Sequence, residues 1–179
     1  MSSSGGDSTL MFAYMWRKDG KLDWERATKF WKDVRTTTRP VVASAFGRNL
    51  DLLAAGEHDI FLLASLGEVF IRTRKGAPIE IAPVGKLVAT ARSAAIMKNA
   101  SHPAAARLFA DFFTTPRVLA YYSDIFAVLS LSPEANKLSR TAAEYKRVGL
   151  EVEIMPPDFA TEQNLRESNR LWSEITSLR

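Results

Sequence analysis

The sequence predicts an α/β protein, and three observations predict it. Two short β-favouring runs, Val41-Val42-Ala43 and Asp59-Ile60-Phe61-Leu62-Leu63-Ala64, bracket a helix-like segment at 47–55, giving strand, helix, strand with short loops. A further run, Ile79-Glu80-Ile81-Ala82-Pro83, alternates at strand period. Beyond residue 100, helix starts follow one another, each pairing a polar residue with proline. The 179 residues, 46% of them hydrophobic, suffice for about one domain with a real core.

In chain order, the small polar residues 1–7 read as a loop, with Asp7, Ser8 or Thr9 capping a short helix over Leu10 to Trp16 that ends before Asp19-Gly20. Asp23 caps a second helix, in which Trp24, Ala27, Phe30, Trp31 and Val34 recur at helical spacing and charged residues hold the other face. The run Thr36-Thr37-Thr38-Arg39-Pro40 stops it, because the residue before proline is pushed out of the helical region. The helix at 47–55 closes at Gly56, and the apolar run 59–64 has the length of a buried strand. Residues 65–75 fit either helix or strand, and 87–97 form a longer extended candidate. The expected sheet is therefore mixed and mostly buried.

Helices are then expected from Ser101-His102-Pro103, with Ala105, Leu108, Phe109 and Phe112 on one face; from Thr115-Pro116 through Tyr122; and from Ser132-Pro133-Glu134. Glu151 to Met155 reads as a short exposed strand, and Asp158 as the cap of a last helix whose stripe is Leu165, Trp172, Ile175 and Leu178.

Composition excludes several classes of chemistry. With no cysteine there is no disulfide framework, thiolate nucleophile or zinc–cysteine site, and His58 and His102 alone leave little for a histidine relay or a multi-histidine metal centre. No apolar run approaches the ~20 residues of a membrane span, and the first residues lack the basic and apolar regions of a secretory signal. Phosphate-loop, dinucleotide, nucleophile-elbow and zinc-protease motifs are absent. Asn99-Ala100-Ser101 fits a glycosylation sequon, a pattern too short to carry weight. Arg72, Arg74 and Lys75 form a small basic cluster, but nucleic-acid binding wants a denser basic stripe interleaved with aromatics. Glu57 with Asp59, and Glu151 with Glu153, read as a solvated turn and an exposed strand face. Glu162, Arg166, Glu167, Arg170 and Glu174 read as the solvated side of the last helix.

Four segments in order carry a resemblance. They are Asp23-Trp24-Glu25-Arg26-Ala27-Thr28-Lys29-Phe30-Trp31; Leu52-Leu53-Ala54-Ala55-Gly56-Glu57-His58-Asp59-Ile60; Lys75-Gly76-Ala77-Pro78-Ile79-Glu80; and the stretch from Ala95-Ile96-Met97-Lys98 through Ser101-His102-Pro103 to Ala110-Asp111-Phe112. Together they resemble extracellular solute-binding proteins of ABC importers, of the two-lobed iron-type and related anion-type group. The likeness runs from Thr9 to the end and covers the later part of such a protein.

The resemblance implies one lobe of a two-lobed periplasmic-binding-protein-like fold, a mixed sheet flanked by helices, plus C-terminal helices, with the first lobe largely missing. Residues 1–8 would be a flexible start near the crossover. Residues 9–98 would form the second α/β lobe with the returning crossover strand, and 99–179 a helical region packing on the hinge and first lobe. It implies a non-enzymatic protein with no cofactor or resident metal. The intact form would be periplasmic or extracellular, with a membrane permease as partner and no nucleic acid.

Such proteins hold ligands at helix N-termini and hydroxyls, where free N–H groups and the helix dipole favour an anion. The matching positions are Ser8 and Thr9 in the loop before the first helix, Ser44, Gly47 and Arg48 at a strand-to-helix turn, and Ser65 after the Ile60 run; Arg48 would add a bidentate contact to an anion. Iron-binding members carry adjacent tyrosines just after the strand matching 60–64, where this chain has Ala64-Ser65-Leu66. Tyr121-Tyr122 fall elsewhere, so the expected solute is a small anion rather than ferric iron. The competing reading is a free-standing intracellular α/β enzyme or an interaction module with a basic surface.

Overall fold

A computed structural model of the chain describes residues 4–38, 40–41, 46–82 and 85–177. It is mixed α/β and mostly helical, with a two-stranded parallel sheet. Among the described residues the elements are α1 (Ser4–Met15), α2 (Trp24–Thr38), α3 (Phe46–Ala54), α4 (Leu66–Thr73), β1 (Lys86–Ala89), α5 (Pro103–Phe113), α6 (Pro116–Phe126), α7 (Pro133–Leu138), α8 (Arg140–Arg147), β2 (Glu151–Ile154), a 3-10 turn (Pro157–Phe159) and α9 (Glu162–Ser177). The chain divides into two units, one of residues 1–44, 86–91 and 152–179, the other of 45–85 and 92–151.

In the first unit α1 packs against α9, α2 and β1. The chain turns between α1 and α2 through Asp19 and Gly20, both at positive φ, with Lys18 and Lys21 paired across them. Asp-Gly suits such a turn because both central residues need the left-handed region. Asp23 then caps α2, its Oδ1 accepting from the Arg26 amide at 2.9 Å. Leu10, Tyr14 and Met155 form the buried centre, with Val88, Phe159 and Leu165 packed around it. Beside it lies an aromatic cluster in which Phe12 stacks on Phe30 at 5.0 Å and Trp31 meets Trp172 edge-on at 5.6 Å. This joins α1, α2 and α9 through their ring faces. β1 and β2 run parallel, the Glu151 amide donating to the Gly85 carbonyl and the Met155 amide to that of Ala89.

The second unit centres on Leu50, Val69 and Ile79, with Leu53, Phe61 and Ala64 partly buried against them. Phe70 meets Tyr145 at 4.9 Å, bringing α4 onto α8.

Several expected elements differ. The run 59–64 is not a strand: it is irregular, Leu63 sits at φ +67, and Ile60 is 76% exposed. A buried strand needs neighbours for its backbone groups, and apolar content without them settles as a loop that buries side chains singly. Residues 79–82 likewise bury Ile79 without pairing, and Pro83 lies outside the described residues. Of the strand expected at 87–97, only the part within β1 forms, and residues 90–97 are irregular and exposed. Val41 is exposed and unpaired into any sheet, while Val42 and Ala43 lie outside the described residues. Among the described residues the sheet is accordingly a parallel pair rather than a larger mixed one.

The ambiguous stretch 65–75 is helical as α4, and α6 continues to Phe126. Helix α1 starts at Ser4, so Ser8 and Thr9 lie inside it rather than in a loop before it. Asp158 belongs to the 3-10 turn, and the cap of α9 is Thr161, whose hydroxyl accepts from the Asn164 amide at 3.2 Å. Helix α8, not expected from the sequence, closes the second unit.

Candidate functional site

The residues singled out for anion binding fall on three elements. Ser8 and Thr9 are buried within α1, with 8% and 0% of their surfaces exposed, so their hydroxyls serve the interior of the first unit. Ser44 lies outside the described residues. Gly47 and Arg48 stand in the first turn of α3, and Ser65 is the exposed N-cap residue of α4, with extended backbone (φ −66, ψ 120) and no capping bond from its side chain. No hydrogen bond joins Ser65 to Gly47 or Arg48 among the described residues.

The first turn of α3 is organised by Arg72, which the sequence offered only as a member of a small basic cluster. The Arg72 guanidinium reaches from α4 and donates to the Gly47 carbonyl at 3.0 Å, to Asp51 Oδ1 at 3.0 Å and to Glu68 Oε2 at 2.6 Å. Its hydrogen bond to Asp51 chiefly, and that to Glu68, outweigh desolvation and hold its pKa above the ordinary value. A Cβ at position 47 would meet the guanidinium at 3.4 Å, an ordinary contact, so the Arg72 bond to this carbonyl does not itself demand glycine. The i,i+4 spacing of Glu68 and Arg72 is the local signal from which part of this cluster can be read. Arg48, by contrast, is exposed and has no ion-pair partner among the described residues. The arrangement offers an anion the early N–H groups of α3 and one unneutralised guanidinium.

A second network fastens α4 to α6 and α8. Arg74 donates to Glu144 at 3.1 and 2.5 Å in bidentate fashion, to the Asp124 carbonyl at 2.6 Å and to Thr141 Oγ1 at 2.7 Å. Asp124 accepts from Ser139 Oγ at 2.7 Å and from the Thr141 amide at 3.0 Å, at the start of α8. Desolvation pushes the Asp124 carboxyl up, but these hydrogen bonds prevail and its pKa lies below the ordinary value. Arg72 and Arg74 are thus each bound to carboxylates, so two members of the basic cluster at 72–75 do not present free charge.

In the first unit Glu153 is the hub. It accepts from Lys86 Nζ at 2.6 Å, Tyr14 Oη at 2.8 Å and the Arg17 guanidinium at 2.7 Å, and its pKa is held down at about 2, chiefly by the hydrogen bonds from Lys86 and Tyr14. The expected exposed strand face is therefore an ion-pair centre on β2. The charges along α9 pair with each other, Arg166 with Glu162 and Arg170 with both Glu167 and Glu174. They line a groove of about 470 Å³ beside Trp24 whose charges are already satisfied.

No family model, curated protein or solved structure matches the chain. Site chemistry therefore rests on geometry. Among the described residues no three His, Asp or Glu side chains gather as a metal site would require, and no helix is long and apolar enough to cross a membrane. Tyr121 is 69% exposed, while Tyr122 is half-buried against Phe113 and Phe126, so the two phenols are set in different surroundings.

Proposed function

We propose that the chain is part of the substrate-binding component of an ABC importer, one that captures a small anionic solute between two lobes and delivers it to a membrane permease. On this reading the 179 residues are the later part of a two-lobed, periplasmic or extracellular binding protein, and the helices from 99 on pack against its hinge and first lobe. The observation that carries the reading is the first turn of α3. There Arg48, exposed and unpaired among the described residues, stands beside N–H groups at a helix start, with Gly47 held by Arg72. Two further features support it: a second helix start at Ser65, and an α5 that buries no residue of its own.

Lobe closure couples the ligand to a hinge, so affinity depends on both lobes. Thermal-shift and calorimetric titration with phosphate, sulfate and small carboxylates, on the two-lobed protein and on the 179 residues alone, tests the reading. Binding by the longer protein that weakens at least tenfold with Arg48→Ala, about 1.4 kcal/mol, is expected. Tight binding by the 179 residues alone, or an Arg48→Ala variant of unchanged affinity, contradicts it. The intracellular reading with a basic surface draws no support from Arg72 or Arg74, which are neutralised.

A further inference from the structure

Helix α5 is held by very little. None of its eleven residues is buried, and it packs on α6. A helix this short is marginal in water, since nucleation is unfavourable and few hydrogen bonds follow it. Proteins stabilise such helices by covering an apolar stripe. On α5 the stripe is present and faces outward, with Leu108 72%, Phe109 62% and Phe112 58% exposed. Ring contacts extend it onto α6: Phe109 meets Phe113 at 5.8 Å, Phe113 meets Tyr122 at 5.4 Å, and Tyr122 meets Phe126 at 4.6 Å. Phe126, at the far end, is again half exposed.

We propose that this α5–α6 face pairs with the same face of a second copy of the chain, as a weak two-fold dimer. Area is the first reason. At roughly 200 Å² for a large side chain, the exposed parts of Leu108, Phe109, Phe112 and Phe126 amount to about 500 Å². Two such faces together remove about 1,000 Å² from water, the size of a transient complex rather than a permanent one. Charge is the second. The exposed charges of α5 are Arg107 and Asp111, one of each sign four residues apart, so two copies related by a two-fold axis can set each against its opposite. An anionic bilayer or a nucleic acid is recognised instead by surplus lysine and arginine. A two-fold contact also closes on itself, leaving no apolar face to recruit a third copy. The pairing does not depend on the transport reading; a first lobe, where present, would compete for the same residues.

Sedimentation equilibrium on the 179-residue chain, from about 1 µM to about 500 µM, tests the proposal in the range where weak complexes form. The mass is expected to rise from 19.9 kDa and level off at twice that value. The double variant Phe109→Lys with Phe112→Lys sets like charges against each other and should weaken the dimer at least tenfold with an unchanged helical circular dichroism spectrum. Leu108→Glu is the milder second variant should the double one unfold. Tyr121→Lys, exposed on another side of α6, should leave the dimer intact. A monomer throughout, a dimer indifferent to these α5 substitutions, a mass climbing beyond two copies, or recovery of the chain with phosphatidylglycerol vesicles instead of with itself would each overturn the proposal.

Discussion

Gly67 lies so close to Phe126 that a methyl group on it would stand 2.6 Å from the Phe126 carbonyl oxygen and 3.3 Å from that of Ala127. The first turn of α4 therefore rests directly on the end of α6, where Ala127 adopts a left-handed conformation at φ 50.

Gly67→Ala should destabilise the protein despite better helix propensity. Alanine gains about 1 kcal/mol in a helix over glycine. A backbone oxygen cannot swing aside as a side chain can, and overpacking of this kind costs about 1–3 kcal/mol. A lower urea midpoint with an unchanged slope is expected; a raised midpoint would show that α4 can shift away from α6.

Arg74 and Glu144 should behave as one unit. Their side chains are 18% and 23% exposed, so removing either leaves a poorly hydrated charge, a loss of about 3 kcal/mol. Arg74→Met and Glu144→Met together should lose clearly less than the sum of the single losses, since neither charge is then stranded. A double-mutant cycle by chemical denaturation measures this, and strict additivity would dissolve the pair.

Glu153 should set the acid limb of stability. Its folded pKa, about 2, lies below the ordinary 4.5, so its contribution is complete above about 4.5 and disappears as pH falls toward 2. Glu153→Gln should lower the melting temperature at pH 7 and flatten its dependence between pH 4.5 and 2. Parallel melting curves for the two proteins across that window would exclude the hub.

Tyr145 should set an alkaline limb. Burial raises its pKa to about 12 from the ordinary 10.0, Arg74 opposing and Glu144 assisting. The unfolded chain releases this proton first, so stability is full below pH 10 and declines as pH rises toward 12. Absorbance at the phenolate band should show one tyrosine ionising only as the protein unfolds, and Tyr145→Phe should delete that step.

The helices were legible where a single face carried the signal. Trp24, Ala27, Phe30, Trp31 and Val34 marked α2, and proline at the first position marked the starts of α5, α6 and α7. Helix α8 was not, because Arg140, Glu144, Lys146 and Arg147 leave little apolar stripe; Thr141 and Tyr145 bury it by hydrogen bonds and one ring contact. The run at 59–64 failed for a different reason: apolar length reports the wish to be buried, while pairing depends on neighbours that no local window contains. At the candidate site Gly47 and Arg48 were named from the family resemblance, whereas Arg72 was noted only as part of a basic cluster. Its role depends on Asp51 and the Gly47 carbonyl meeting it across two helices, and only the Glu68 spacing was visible.

The packing of α1 against α9 has a consequence for how the molecule is made. A ribosome releasing about 5–20 residues each second must add roughly 150 more after α1 before α9 exists, a delay of about 7–30 s. Throughout that interval Leu10 and Tyr14 lack Met155 and Leu165, the residues that complete their cover. Helix α1 is thus made well before it can be finished, and its apolar side stays uncovered until α9 arrives.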